Sequence, residues 1–319
     1  MPVTKLHLDT DIGGDIDDLC ALALVLNWPD AELLAVTTVS DDEGRRAGCA
    51  RYALRMAGRE DVAVAAGADV SLGCYRVRPG LPDEAAYWPE AVPHAPNALD
   101  EALDLLERSI EQSAIIAAIG PFTNLALLEK RSPGILREAK LFLMGGYVFP
   151  PREGFPSFSN EEDWNIQVDV QSAHFVLQHS SPTLVPLSVT VETSLRRAYL
   201  ETLKQSGPLA RLIARQAAVF ALDEKMEARY GRTCAELPDD TINFLHDPLA
   251  SAVALGWREG VEISEIPLRF EIEDGWLRER IDDGGIRTRV VTRVDGERFN
   301  EFWLNTVARE RGATPDARA

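Results

Sequence analysis

Five carboxylates crowd ten residues near the start of the chain: Asp9, Asp11, Asp15, Asp17 and Asp18, in the string DTDIGGDIDD. Anions this close repel. Each pair a few ångströms apart costs free energy unless a cation lies between them or protons are taken up. Gly13 and Gly14 let the backbone turn sharply in their midst. A short apolar run precedes the acids, and an apolar run with the pattern of a buried helix follows them. Strand, acidic glycine turn and helix together suit a hard cation held by oxygen ligands.

The elements that must position these groups alternate along the chain. Strands are expected at Lys5 to Leu8, Leu33 to Val39, Val62 to Gly67, Ala114 to Gly120, Lys140 to Gly146 and Thr183 to Leu187. Between them the pattern predicts helices over Asp17 to Asn27, Glu43 to Met56, Leu99 to Glu111, Phe122 to Lys130 and Val170 to Gln178. Later come a long helix over Pro208 to Tyr230, a buried one from Asp247 to Leu255 and a last one over Glu297 to Arg309. Two late strands are expected, Ser264 to Ile272 and Arg287 to Val294. Cys74 to Pro96 is rich in proline and reads as a long surface loop. The alternation defines an α/β protein with an open, mostly parallel (mixed) sheet and helices on both faces. Ligands in such sheets bind beyond the C-terminal strand ends. The polar clusters fall there: Asp9 to Asp18, Ser40-Asp41-Asp42, Gly120 to Asn124 and Met144-Gly145-Gly146.

Composition narrows the partners. With 319 residues, 45% of them hydrophobic, the chain is read as one globular domain over 1–319. A formal charge of −18 argues against a basic surface for nucleic acid or anionic membrane. No apolar run is long enough to span a bilayer, and the N-terminus lacks a signal-peptide core. Cys20, Cys49, Cys74 and Cys234 are scattered, which reads as reduced thiols in a cytoplasmic protein.

Six strings, in order, resemble the nucleoside hydrolase family, the calcium-dependent N-ribohydrolases. DTDIGGDIDD is similar to the family's N-terminal aspartate fingerprint, with two extra residues before the final pair. AVTTVSDD stands where the family has a strand ending in Gly-Asn or Gly-Asp. AIGPFTNLA, LFLMGG, DWNIQVDVQSA and LHDPLA resemble later family segments. The resemblance covers nearly the whole chain and implies a Rossmann-like sheet.

It also implies a chemistry. The family cleaves the N-glycosidic bond of a ribonucleoside through an oxocarbenium-like sugar. By resemblance, Ca²⁺ is held by Asp11, Asp18 and Asp247 with the Thr123 main-chain carbonyl, and Asp11 is the general base. Asp17, Asp42, Met144, Asn160, Asp163 and Asn165 form the substrate-binding set, with Asp17 and Asn165 on ribose hydroxyls and Asn160 a candidate for the 5′ end. His246 is the candidate proton donor to the leaving base, with Asp247 beside it to hold an imidazolium. Its alternative is a packing role at a helix start. Stacking of the base by aromatics is the other route to departure, with Trp88, Tyr147, Phe149, Phe155, Phe158 and Tyr230 as candidates. His94 is a loop residue within conceivable reach. A homodimer or homotetramer is the inherited expectation.

The chain departs from the family pattern at Asp41, Asp42 and Asp163, and at the spacing of Asn160 from Asp163. These changes spare the metal set and bear on the substrate. Three other readings compete. A haloacid-dehalogenase-type phosphatase would use Asp9 as nucleophile and Asp11 as acid, but it needs a later Lys and acidic pair where GPFTN and MGG stand. An EF-hand would need a Glu where Cys20 sits. A catalytically altered family member that binds an unusual riboside is the third.

Overall fold

The computed structural model describes residues 3–69 and 84–309. Its centre is a nine-stranded sheet. In chain order the strands are β1 (Thr4–Thr10), β2 (Ala31–Thr38), β3 (Ala63–Ala66), β4 (Ile115–Ala118), β5 (Lys140–Met144) and β6 (Thr183–Val185). A separate antiparallel pair follows, β7 (Ser194–Arg196) and β8 (Thr241–Phe244). The chain then returns to the sheet with β9 (Val261–Glu273), β10 (Trp276–Ile281) and β11 (Ile286–Val294). Across the sheet the order is β10-β9-β11-β6-β5-β4-β1-β2-β3. The pairs from β3 to β6 are parallel, as is β11 with β6, and β9 runs antiparallel to both β10 and β11.

Helices cover both faces, so the central strands are apolar on both sides. Leu6 and Leu8 point into a core shared with the helices Asp17–Asn27, Pro208–Asp223, His246–Ala254 and Gly296–Val307. The alternate residues His7 and Asp9 point to the other face. There the helices Leu99–Glu111, Thr123–Arg131 and Val170–His179 close a second core around Leu106, Ile116, Leu125 and Leu143. Asp17–Asn27 stops at Trp28-Pro29, where proline cannot continue the ladder. The last helix locks onto the first, and Trp303 Nε1 donates to the Cys20 carbonyl at 3.2 Å.

Three expectations change. Pro208 to Tyr230 is not one helix. It ends at Asp223, Lys225 takes φ 53°, and a wide π turn runs over Glu227–Gly231. No glycine or proline marks that break, and it leaves Met226 and Tyr230 on a pocket wall. The late unit has three strands rather than two. Trp276–Ile281 hides from periodicity because half of WLRERI is charged. Cys74 to Pro96 lies partly outside the described residues, and its described part includes a one-turn helix, Glu84–Tyr87. Cys20 and Cys234 are free thiols, and Cys74 lies outside the described residues.

Trp303 is fully buried between the terminal helices. Replacing it with alanine should destabilise the fold by about 3–5 kcal/mol, read as a lower midpoint in denaturant unfolding.

Candidate active site

The polar strand ends meet on one rim. A cavity of about 660 Å³ opens there, lined by Asp11, Asp15, Asp17 and Asp18 from the turn after β1, Met144 after β5, and His246 and Asp247 after β8. Clefts of about 760 Å³ and about 690 Å³ lie elsewhere and contain none of these carboxylates.

At its floor, Asp17, Asp18 and Asp247 each present an oxygen within 4.8 Å of the others. All three are buried, at 4%, 2% and 4% exposure. Burial first, and then the neighbouring carboxylates, push all three well above the ordinary carboxylate range. Thr10 donates its hydroxyl to Asp18, and the Asp247 N–H donates to Asp17 at 3.3 Å. Without a cation this cluster is held against its own repulsion. All-oxygen donors at this spacing fit a hard divalent metal.

Asp11 lines the same cavity, and its charge acts on each of the three. Gly120 makes room for it. A Cβ there would sit 2.9 Å from both the Asp11 nitrogen and its Oδ1. Thr123 begins its helix and gives its hydroxyl to Asp169 at 2.6 Å. Asp15 accepts from Ile16 N–H and Asn243 Nδ2, each at 2.5 Å.

On the opposite wall, Asp163 caps the Trp164–Gln167 helix through Ile166 N–H and accepts from Gly146 N–H at 2.5 Å. Gly146 holds φ 106°, which an L side chain rarely adopts. Asn165 donates to the carbonyls of Ile119 (3.0 Å) and Met144 (3.2 Å), tying the ends of β4 and β5 together.

His246 Nδ1 lies 2.6 Å from Thr190 Oγ1, and its ring leans on Phe244 with centroids 5.2 Å apart. Burial pushes its pKa down to about 3. Its hydrogen-bond partner is therefore Thr190, where the sequence had suggested Asp247. For Nε2 to carry a proton on the neutral ring, the Thr190 hydroxyl must donate to Nδ1 rather than to the Leu187 carbonyl at 3.2 Å.

Other expected residues stand outside the cavity lining. Asn160 is buried, but its amide is spent on Leu277 and Arg278. Asp42 is exposed at the start of a one-turn segment. The buried carboxylate there is Asp41, which accepts from Thr38 Oγ1 and from the N–H groups of Arg46 and Ala47. His94 borders a different cleft. Asp9 is fully buried and accepts from Thr37 and Asn124, which removes it as a phosphatase nucleophile.

Of the aromatic candidates, Phe158 and Tyr230 line the cavity. Trp88 packs on Tyr52 instead, and Phe155 under Arg152. Sequence reasoning missed Tyr87, Trp164, Phe220 and Phe244 on these walls, and Arg46 beside Gly14. Arg46 stands four residues past the acidic turn after β2, in a helix with three other arginines, so no local pattern singles it out.

An α/β enzyme with a buried, oxygen-lined cation pocket at the C-terminal ends of parallel strands is what the geometry defines. Residues 6–301 match the model of the family described as inosine-uridine preferring nucleoside hydrolase, and the chain belongs to that family. Its members hydrolyse the N-glycosidic bond of ribonucleosides. An uncharacterized protein of Schizosaccharomyces pombe is 29% identical over 96% of this chain and 99% of its own length. The pyrimidine-specific ribonucleoside hydrolase RihA of Citrobacter koseri is 29% identical over 80% of this chain and 82% of its own. A plant nucleoside hydrolase of known structure superposes with a TM-score of 0.80 at 20% identity, covering 97% of this chain and all of that one. Among the described residues, no helix is long and apolar enough to cross a membrane.

Removing one charge from the floor should relieve its repulsion. Asp18→Asn is expected to raise the Tm of the metal-free protein by about 1–3 °C. It should also abolish the stabilisation that added calcium or magnesium gives the parent, as read by thermal unfolding with and without chelator.

Proposed function

We propose that this chain hydrolyses a ribonucleoside to free base and ribose in the cavity at the strand ends, with Ca²⁺ held by Asp11, Asp18, Asp247 and the Thr123 carbonyl. The buried meeting of Asp17, Asp18 and Asp247 beside Asp11 is the observation that carries this reading. A calcium ion there would neutralise the floor and acidify and orient a water.

The chain's own groups supply the rest. Asp11, the cavity carboxylate outside the tight trio, takes the proton of the attacking water. Asp17 accepts from a ribose hydroxyl. Asp163 and Asn165 position the far side of the sugar, where both are fixed by backbone partners. Met144 forms the apolar wall between them and the floor. Asn160 and Asp42 act at one remove, through the elements they hold or begin.

His246 stands at the other end with Phe158, Tyr230 and Phe244. Its neutral ring offers the Nε2–H to the leaving base as a hydrogen bond, with Thr190 on Nδ1, while the aromatic wall receives the base.

Asp11→Ala should lower kcat by at least about 10²–10⁴-fold. Chelation should remove activity and added calcium restore it, measured as reducing sugar released from purine and pyrimidine ribosides. His246→Ala should slow inosine and uridine far more than a nitrophenyl riboside, whose leaving group needs no proton. Equal losses would make the histidine structural.

A further inference from the structure

Four hydrogen bonds tie β10 to the segment that carries Asp163 and Asn165. Leu277 N–H donates to Gln167 Oε1 at 3.0 Å, and the Leu277 carbonyl accepts from Gln167 Nε2 at 2.9 Å and Asn160 Nδ2 at 3.2 Å. Arg278 Nη1 donates to Asn160 Oδ1 at 2.9 Å. Two residues beyond Leu277, and so on the same inward face of the strand, stands Glu279. It is 7% exposed, and neither carboxyl oxygen has a well-formed hydrogen-bond partner. A Cβ on Gly146 would lie 3.9 Å from Glu279 Oε1, and the same glycine's N–H donates to Asp163. The Gly145-Gly146 turn therefore has Asp163 on its pocket side and Glu279 outside the pocket lining.

We propose that Glu279 is a positioning residue for the sugar end of the pocket, set against the outer side of the Gly145-Gly146 turn whose inner side presents Asp163. The proposal rests on the ribonucleoside reading of the cavity. The groups facing Glu279 are Asp163 across the turn, Arg278 next to it and Tyr147 just after the turn, with Glu162 acting on Tyr147 in its turn. The Arg278 guanidinium is drawn off by Asn160 and by Glu273 at 3.6 Å. Burial, joined by the charge of Asp163, pushes the Glu279 carboxyl up to about 8, and the Tyr147 amide and Arg278 offset this only in part. An inward acid on an edge strand also discourages pairing with another sheet, but that role needs no link to Asp163.

The folded chain holds this proton to higher pH than the unfolded chain, where glutamate titrates near 4.5. The stability Glu279 contributes is therefore full below 4.5 and is lost as pH rises through about 8. Over the same range its ionisation sets a second anion against Asp163 and weakens the grip on the sugar.

The test follows the full chain and Glu279→Gln from about pH 6 to about pH 9.5 by thermal unfolding and by hydrolysis of uridine and inosine. The parent's Tm should fall by several degrees relative to the variant as pH rises, and level off near pH 8. Its KM should rise about three- to tenfold over that interval while the variant's stays flat, and their kcat ratio should not move with pH. Asp163→Asn should move that levelling-off to lower pH, because the charge that raises Glu279 is gone. Should the Gln variant fail to fold, Glu279→Met carries the same expectations. Parallel unfolding profiles, or a KM that responds alike in both chains, overturn the proposal. Unfolding needs no substrate, so chains that cleave no riboside defeat the functional reading alone. Intact hydrolysis with parallel unfolding defeats Glu279 alone.

Discussion

Like charges brought together out of water are the constraint on which the rest of this structure depends. Asp17, Asp18 and Asp247 converge within 4.8 Å in a buried floor, with Asp11 beside them. A fold pays for such crowding only where the cation that relieves it belongs to the function. Everything around the floor resists its tendency to spread. Thr10 anchors Asp18, a main-chain N–H anchors Asp17, and two apolar helices packed face to face carry the three acids.

Beneath the floor a second polar layer ties the strands that present it. His7 bridges Ser109 and Thr37 on its two ring nitrogens. The Thr37 hydroxyl donates a hydrogen bond to Asp9, and Asn124 joins Asp9 to the Thr38 carbonyl. This chain of contacts crosses β1, β2 and the helices after β3 and β4. Buried polar groups gain most when satisfied together, and a network of this kind specifies one register for the strand ends. The sugar end has different support. There the edge hairpin grips the Asn160–Gln167 segment through Leu277 and Arg278, and the wall of the cavity depends on residues more than 100 positions later in the chain.

Much of this was legible from local pattern. The helices Asp17–Asn27 and Leu99–Glu111 fall where periodicity and the proline stop place them. The acidic turn announces a cation because five carboxylates in ten residues have few other physical explanations. What failed were side-chain directions and element ends without punctuation. Asn160 reads as a polar residue near the sugar, yet its amide is spent on β10, a strand whose charged sequence conceals it. Asp42 reads as the acid of the β2 turn, yet Ser40, at φ 55°, turns the chain so that Asp41 is buried and Asp42 is exposed. The break at Lys225 follows from no local signal and sets which aromatics reach the cavity.

The sequence by itself determined the fold class, the family and the acidic turn, because strand-helix alternation and short-range charge crowding are local properties. Only the tertiary structure decided which carboxylates share the floor. Asp247 lies 229 residues beyond Asp18, and packing of the His246–Ala254 helix against Asp17–Asn27 brings them together. It likewise decided that His246 answers to Thr190 and that Glu279 stands behind Asp163. Those relations depend on distance and burial, which arise when remote segments pack and which no local spacing encodes.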